Sequence, residues 1–156
     1  MQANVTSLID YCNALLAGAP SFLTDRLQCV QNCAARVVKR AKKRCHITPL
    51  LRDLHWLPVA FRIQFKINIM TFKSVHGLGP VYLNEMALPY VPTRTLRSSE
   101  QNLLSVPKYR LKTIGARAYS VQGPLLWNSL PSSLKRIDSL SVFKRQLKAH
   151  YFRIAF

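Results

Sequence analysis

Between Pro58 and Gly77 no glycine or proline interrupts the chain, so this stretch has to fold as one long element. Two periods compete inside it. Phe61, Ile63, Phe65, Ile67 and Ile69 alternate with Arg62, Gln64, Lys66 and Asn68, which is the period of a strand. The run is longer than an ordinary strand, however, and the alternation fails after Ile69. As a helix, the same residues bring Arg62, Lys66 and Lys73 within about a 40° arc, leaving most of the remaining circumference apolar. A buried central helix with one basic stripe is the expectation. Gly77 supplies a left-handed stop, and Gly79-Pro80 follows. Upstream, Thr48 and Pro49 suit the start of a short helix that breaks near His55 and Trp56.

Charge sets the next constraint. The 156 residues hold 23 Lys+Arg against 6 Asp+Glu, a formal net charge of +17, yet 49% of the chain is apolar. That is enough apolar material for a core, whereas a disordered basic tail has little. Self-repulsion of this size favours a polyanionic partner, and nucleic acid is the commonest one. No apolar run approaches the roughly 18 residues of a membrane span. The N-terminal stretch lacks the basic start of a signal peptide, and Asp10 interrupts its apolar part. An intracellular protein, nuclear or cytoplasmic and not secreted, is expected.

The rest of the chain gives helical signals with one irregular interval. Thr6 to Leu16 forms a first helix, with Leu8, Ile9, Cys12, Leu15 and Leu16 on one side. Ser21 to Ala41 forms a second, with Leu23, Leu27, Val30, Ala34 and Val37 as an amphipathic stripe. Its end carries Arg36, Lys39, Arg40, Lys42, Lys43 and Arg44. Cations suit a helix C-terminus, but this run exceeds what the dipole needs, and the excess is expected to contact phosphates. Residues 89–123 are loop-rich and basic. Leu103–Val106 and Ala116–Val121 are candidate strands, and Arg94, Arg97, Lys108, Arg110, Lys112 and Arg117 form a second basic cluster around Tyr109 and Tyr119. Those rings could stack bases or simply pack. Gly123-Pro124 opens a helical turn ending at Pro131, with Trp127 as an anchor. Ser139 starts a final helix with Phe143, Leu147, Tyr151 and Ile154 inside and Lys144, Arg145 and Lys148 outside. The expected fold is mainly α, an irregular helical domain with at most a small two-stranded β-hairpin. Its expected parts are a thumb-like helical hairpin over 1–45 and a C-terminal helical domain over 46–156, or else one continuous domain over 1–156.

Catalytic groupings are not apparent. Asp10, Asp25, Asp53, Glu85, Glu100 and Asp138 are scattered, without the paired spacing that holds divalent ions for polymerases and nucleases. No phosphate-binding glycine loop, dinucleotide turn or nucleophile elbow occurs. Asp53 and His55 flank a turn and are expected to be structural. Cys29 and Cys33 share a helix face, and Cys45-His46 follows the basic run, but the spacing fits no zinc knuckle or finger. No metal or other cofactor, no small-molecule substrate and no catalytic activity are expected.

The segments LIDYCNALLAG (8–18), LQCVQNCAARVV (27–38), HITPLLRDLHWLPVAFRIQFKI (46–67), TFKSVHGLGPVYL (71–83), LRSSEQNLLSVPKYRLKTIGARAYSVQGPLLWNSLP (96–131) and SVFKRQLKAHYF (141–152) resemble, in order, the C-terminal region of LINE-like non-LTR retrotransposon polyproteins of the Jockey-like and chicken-repeat branch. The resemblance implies descent from a reverse transcriptase, from the part beyond the polymerase palm that completes the thumb and helps hold template RNA or target DNA. The paired aspartates of that polymerase have no counterpart here.

Together these readings give a non-catalytic segment that binds RNA or DNA backbone. Its expected phosphate contacts are Arg36, Lys39, Arg40, Lys42, Lys43, Arg44, Arg62, Lys66, Lys73, Arg110 and Lys112. Three alternatives stand beside it: a transposon relic without selected function, a scaffold that packs on an upstream polymerase core, and binding of acidic membrane surfaces by the basic final helix.

Overall fold

A computed structural model describes residues 2–92, 102–111 and 113–156. The described residues are 63% helical, in eight α-helices and short 3-10 turns, with no strand or sheet among them. The helices are α1 (Gln2–Asp10), α2 (Ser21–Val38), α3 (Ile47–Asp53), α4 (Val59–Val75), α5 (Val81–Asn84), α6 (Tyr119–Asn128), α7 (Ser132–Lys135) and α8 (Leu140–Ala155). The chain forms two compact units, one of Met1–Gln64 with Ala149–Phe156 and one of Phe65–Lys148. This division runs through α4 at 64/65, and α3 packs on α2 within the first unit.

The long uninterrupted segment is helical, as its length required. Val59, Ile63 and Ile67 are buried at steps of four, and Phe72 continues the buried face one residue round. Gly77 ends α4 with φ +66°, its N–H bonding to the Ser74 carbonyl while the Leu78 N–H bonds to that of Lys73. This is a Schellman closure. Two further helices close the same way without glycine. Arg40 (φ 49°) follows α2, with Ala41 N–H on the Arg36 carbonyl, and His55 (φ 55°) follows α3, with Trp56 N–H on the Leu51 carbonyl.

In the first unit the core is Ala35, Leu51 and Trp56, surrounded by Ala34, Val38, Ile47, Leu54 and Phe156. The face that α2 turns inward follows the apolar stripe only in part, with Ala34 packed on the core. Gln31 is fully buried, whereas Val30 and Val37 are 57% and 61% exposed. Gln31 Nε2 donates to the Leu57 carbonyl at 2.9 Å, and Gln28 Oε1 accepts the Val59 N–H at 2.9 Å. Gln28 Nε2 in turn donates to Gln31 Oε1 at 3.0 Å. The two glutamines thus hold the backbone on both sides of Pro58 and satisfy an otherwise orphan donor at the start of α4. The first helix is also shifted from expectation. It ends at Asp10, Cys12 takes a left-handed conformation (φ 51°), and a 3-10 turn covers Asn13–Leu16. Ile9, Asn13 and Ala17 are buried there, while Leu8 and Leu15 lie exposed. Helix α3 starts at Ile47, ahead of Thr48 and Pro49, and proline is harmless in a first turn whose N–H groups lack helical acceptors.

In the second unit Phe72, Trp127 and Phe143 form the centre, with the Phe72 and Phe143 rings stacked at 4.3 Å. Trp127 Nε1 donates to the Asn102 carbonyl at 2.8 Å. Asn128 pairs with both backbone groups of Leu104 at 2.9 Å, standing in for a neighbouring strand. The pairing expected between Leu103–Val106 and Ala116–Val121 is not formed; among the described residues Leu104 instead makes an isolated bridge to Pro89. Ala116–Val121 is not a strand: a 3-10 turn at Gly115–Arg117 leads directly into α6. Gly123 and Pro124 lie inside α6. A Cβ on Gly123 would come within 3.1 Å of Thr71 Oγ1, so close packing accounts for that glycine. Ser139 does precede the last helix, and Phe143, Leu147 and Tyr151 are buried, though Ile154 is exposed.

Replacing Gln31 by Met keeps the volume but leaves the Leu57 carbonyl unpaired, which should cost about 1–3 kcal/mol in urea unfolding. A second expectation concerns pH. Burial first, and the Arg153 charge second, lower the His150 pKa from 6.5. The unfolded chain then binds the proton more readily, so stability is lost as pH falls through 6.5 toward the folded value. His150→Gln should flatten that part of the stability profile, measured as Tm between pH 7 and 5.

Candidate nucleic-acid interface

The densest basic segment is the link between α2 and α3. Its shape follows from the Arg40 closure and from a turn in which Cys45 N–H bonds to the Lys42 carbonyl at 3.0 Å. Arg36 is half-buried, and its Nη2 lies 3.4 Å from the Cys45 carbonyl across the loop. It is positioned to brace the loop as well as to charge it. Lys39 reaches Asp53 at 3.4 Å, with both side chains substantially exposed. An exposed pair of this kind contributes roughly 0–1 kcal/mol, so a phosphate can compete for the lysine. Arg40, Lys42, Lys43 and Arg44 are exposed and have no acidic partner among the described residues. Four cations without acidic partners among the described residues concentrate positive charge on one short loop.

The basic stripe expected on α4 is altered by one contact. Arg62 donates through Nε and Nη2 to the two Asp10 carboxylate oxygens at 2.9 and 2.8 Å. Its side chain is only 14% exposed. This bidentate pair ties α4 to the end of α1, so Arg62 is committed to the fold and departs from its expected phosphate role. Lys66 is exposed and Lys73 half-buried, and their spacing of seven places them on one side of α4. Nothing in their local sequence distinguishes them from Arg62. The difference lies in an acid more than fifty residues away, which one-dimensional periodicity cannot locate.

The second cluster is only partly described. Arg94, Arg97 and Lys112 lie outside the described residues, while Lys108 and Arg110 are exposed. Tyr109 is 44% exposed and packs over Gly115, where a Cβ would approach its own Cβ to 3.1 Å. Tyr119 is different. Its hydroxyl lies 3.1 Å from Ser74 Oγ and 3.4 Å from Thr71 Oγ1, within the contact between α4 and α6. It is a packing residue, and Tyr109 alone of the two offers a ring to solvent.

Acidic chemistry is dispersed. Asp10 serves Arg62, Asp53 serves Lys39, and Asp138 lies 4.0 Å from His76. His55 points elsewhere from Asp53 and packs against Phe152. Among the described residues no group of three or more His, Cys, Asp or Glu side chains could hold a metal ion. No helix is long and apolar enough to cross a membrane.

Arg62→Met should lower stability by about 1 kcal/mol, since the pair is only partly exposed. It should leave oligonucleotide affinity near wild type, as measured by fluorescence anisotropy. Equal losses for Arg62→Met and Lys43→Gln would contradict the separation of roles described above.

Compared with protein-family models, curated proteins and solved structures, the chain matches none.

Proposed function

We propose that this chain is a non-catalytic nucleic-acid-binding segment, derived from the C-terminal part of a LINE-like reverse transcriptase, that grips the phosphate backbone of RNA or DNA through its α2–α3 loop. The single observation that carries this reading is the run Arg40–Arg44, in which four exposed cations lack acidic partners among the described residues. Lys39 adds a fifth that is only loosely engaged. Lys66, Lys73 and Arg110 are secondary contacts in the same reading. Backbone contacts position without specifying sequence, so affinity should be dominated by counterion release. The carboxylates that are engaged serve structural pairs, which agrees with a binding rather than a catalytic role.

A second reading, a scaffold that docks on a polymerase core, draws support from a different observation. Phe22, Val30 and Val37 of α2 are all more than half exposed. Co-expression with the upstream polymerase would test it: the scaffold reading expects a soluble complex that survives gel filtration in high salt, and separate elution contradicts it.

For the binding reading, replacing Arg40, Lys42, Lys43 and Arg44 together by Gln should reduce the slope of log K against log salt by about 3–4 on duplex DNA. An unchanged slope would reject the loop as the contact. Arg40→Gly offers a sharper comparison. Glycine relieves the left-handed backbone and should stabilise the fold by about 1 kcal/mol, while the lost cation weakens binding. Stability and affinity must therefore move in opposite directions.

A further inference from the structure

Helix α2 carries two cysteines that the nucleic-acid reading does not use. Cys29 and Cys33 are both free and exposed. Four residues apart, they sit about 40° from one another on the wheel, with the buried Gln31 roughly opposite their midpoint. Arg26 and Arg36 lie on the same side, one before and one after the pair. The fold thus places a dithiol at the centre of the outward face of its longest helix, with a cation at each end.

Magnitudes decide what such a pair can hold. A disulfide needs Cβ atoms about 3.5–4.5 Å apart. Neighbours at this spacing on a helix have Cβ atoms roughly 5–6 Å apart, so closing that bond would distort α2. An intervening ion fits better. Two metal–thiolate bonds of about 2.3 Å each, nearly in line, span about 4.6 Å. Tetrahedral zinc would want further ligands, and no group of three or more suitable residues occurs among those described. Thiolates favour soft ions such as Cu(I).

We infer that Cys29 and Cys33 form a two-thiolate site for soft, two-coordinate ions, with Cu(I) as its ligand class. Binding converts one Cu(I) and two thiols into a bis-thiolate cuprate of net charge −1 and releases two protons. No oxidation state changes, and Arg26 and Arg36 offset the new negative charge. The site does not depend on nucleic-acid binding.

The test uses the full, reduced chain with Cys12→Ser and Cys45→Ser as background. Cu(I) is delivered from a chromophoric chelator. Trivalent phenylarsine oxide serves as an independent dithiol probe, forming two As–S bonds with loss of one water. One equivalent of either probe should bind per chain and raise Tm, because the bridge staples a helical turn. Cys29→Ser and Cys33→Ser should each weaken binding about 100-fold or more, the loss expected when an intramolecular second contact is removed. Circular dichroism of the serine variants checks that the exposed substitutions leave the helix intact. Unchanged affinity in either variant, two probes bound per chain, or a fall in Tm on binding would overturn the assignment. So would a need to restore Cys12 or Cys45.

Discussion

Two amide side chains determine how the first unit is put together. Gln31 and Gln28 of α2 hold the carbonyl of Leu57 and the N–H of Val59, so the link between α3 and α4 is fixed by hydrogen bonds together with the burial of Trp56, Leu57 and Val59. Buried amides are costly unless satisfied, and these are used by backbone groups, by one another and by the Asn32 side chain. The consequence is rotational. With glutamines and Ala35 turned inward, Val30, Val37 and both cysteines of α2 must face out. The α2–α3 loop then leaves the helix with its cations directed to solvent.

The sequence was most informative where backbone covalent chemistry or apolar spacing decides the outcome. Helix α4 was legible from the gap between Pro58 and Gly77 and from the failure of the strand alternation after Ile69. The stop at Gly77 was legible because glycine is the usual left-handed residue. The equivalent stops at Arg40 and His55 were not, since nothing in those side chains announces a positive φ. The docking face of α2 was hidden for a related reason: amphipathic patterning weighs apolarity, and here the buried Gln31 shares that face with Ala34, Ala35 and Val38. Ala116–Val121 has strand-like composition, but its hydrogen bonds run into α6, where Gly123 is needed for packing against Thr71.

The basic candidates separate by the same distinction between local and distant information. A cationic run in sequence becomes a cationic loop in space, because consecutive residues cannot be far apart. The stripe on α4 fared differently. Arg62 has the same spacing advantages as Lys66, yet Asp10 consumes it. With so few acids available, each placement matters: the pairs to Arg62 and Lys39 leave the segment from Arg40 to Arg44 without an acidic partner among the described residues. Association with a polyanion would relieve the self-repulsion of that loop, linking the excess charge to the inferred function.

The most direct test of the account is a residue-resolved NMR titration with a short single-stranded oligonucleotide at low salt. The account predicts that amide shifts concentrate between residues 36 and 46 and disappear when salt is raised. Shifts centred instead on α8, or a chain whose spectrum does not respond at low salt, would contradict it.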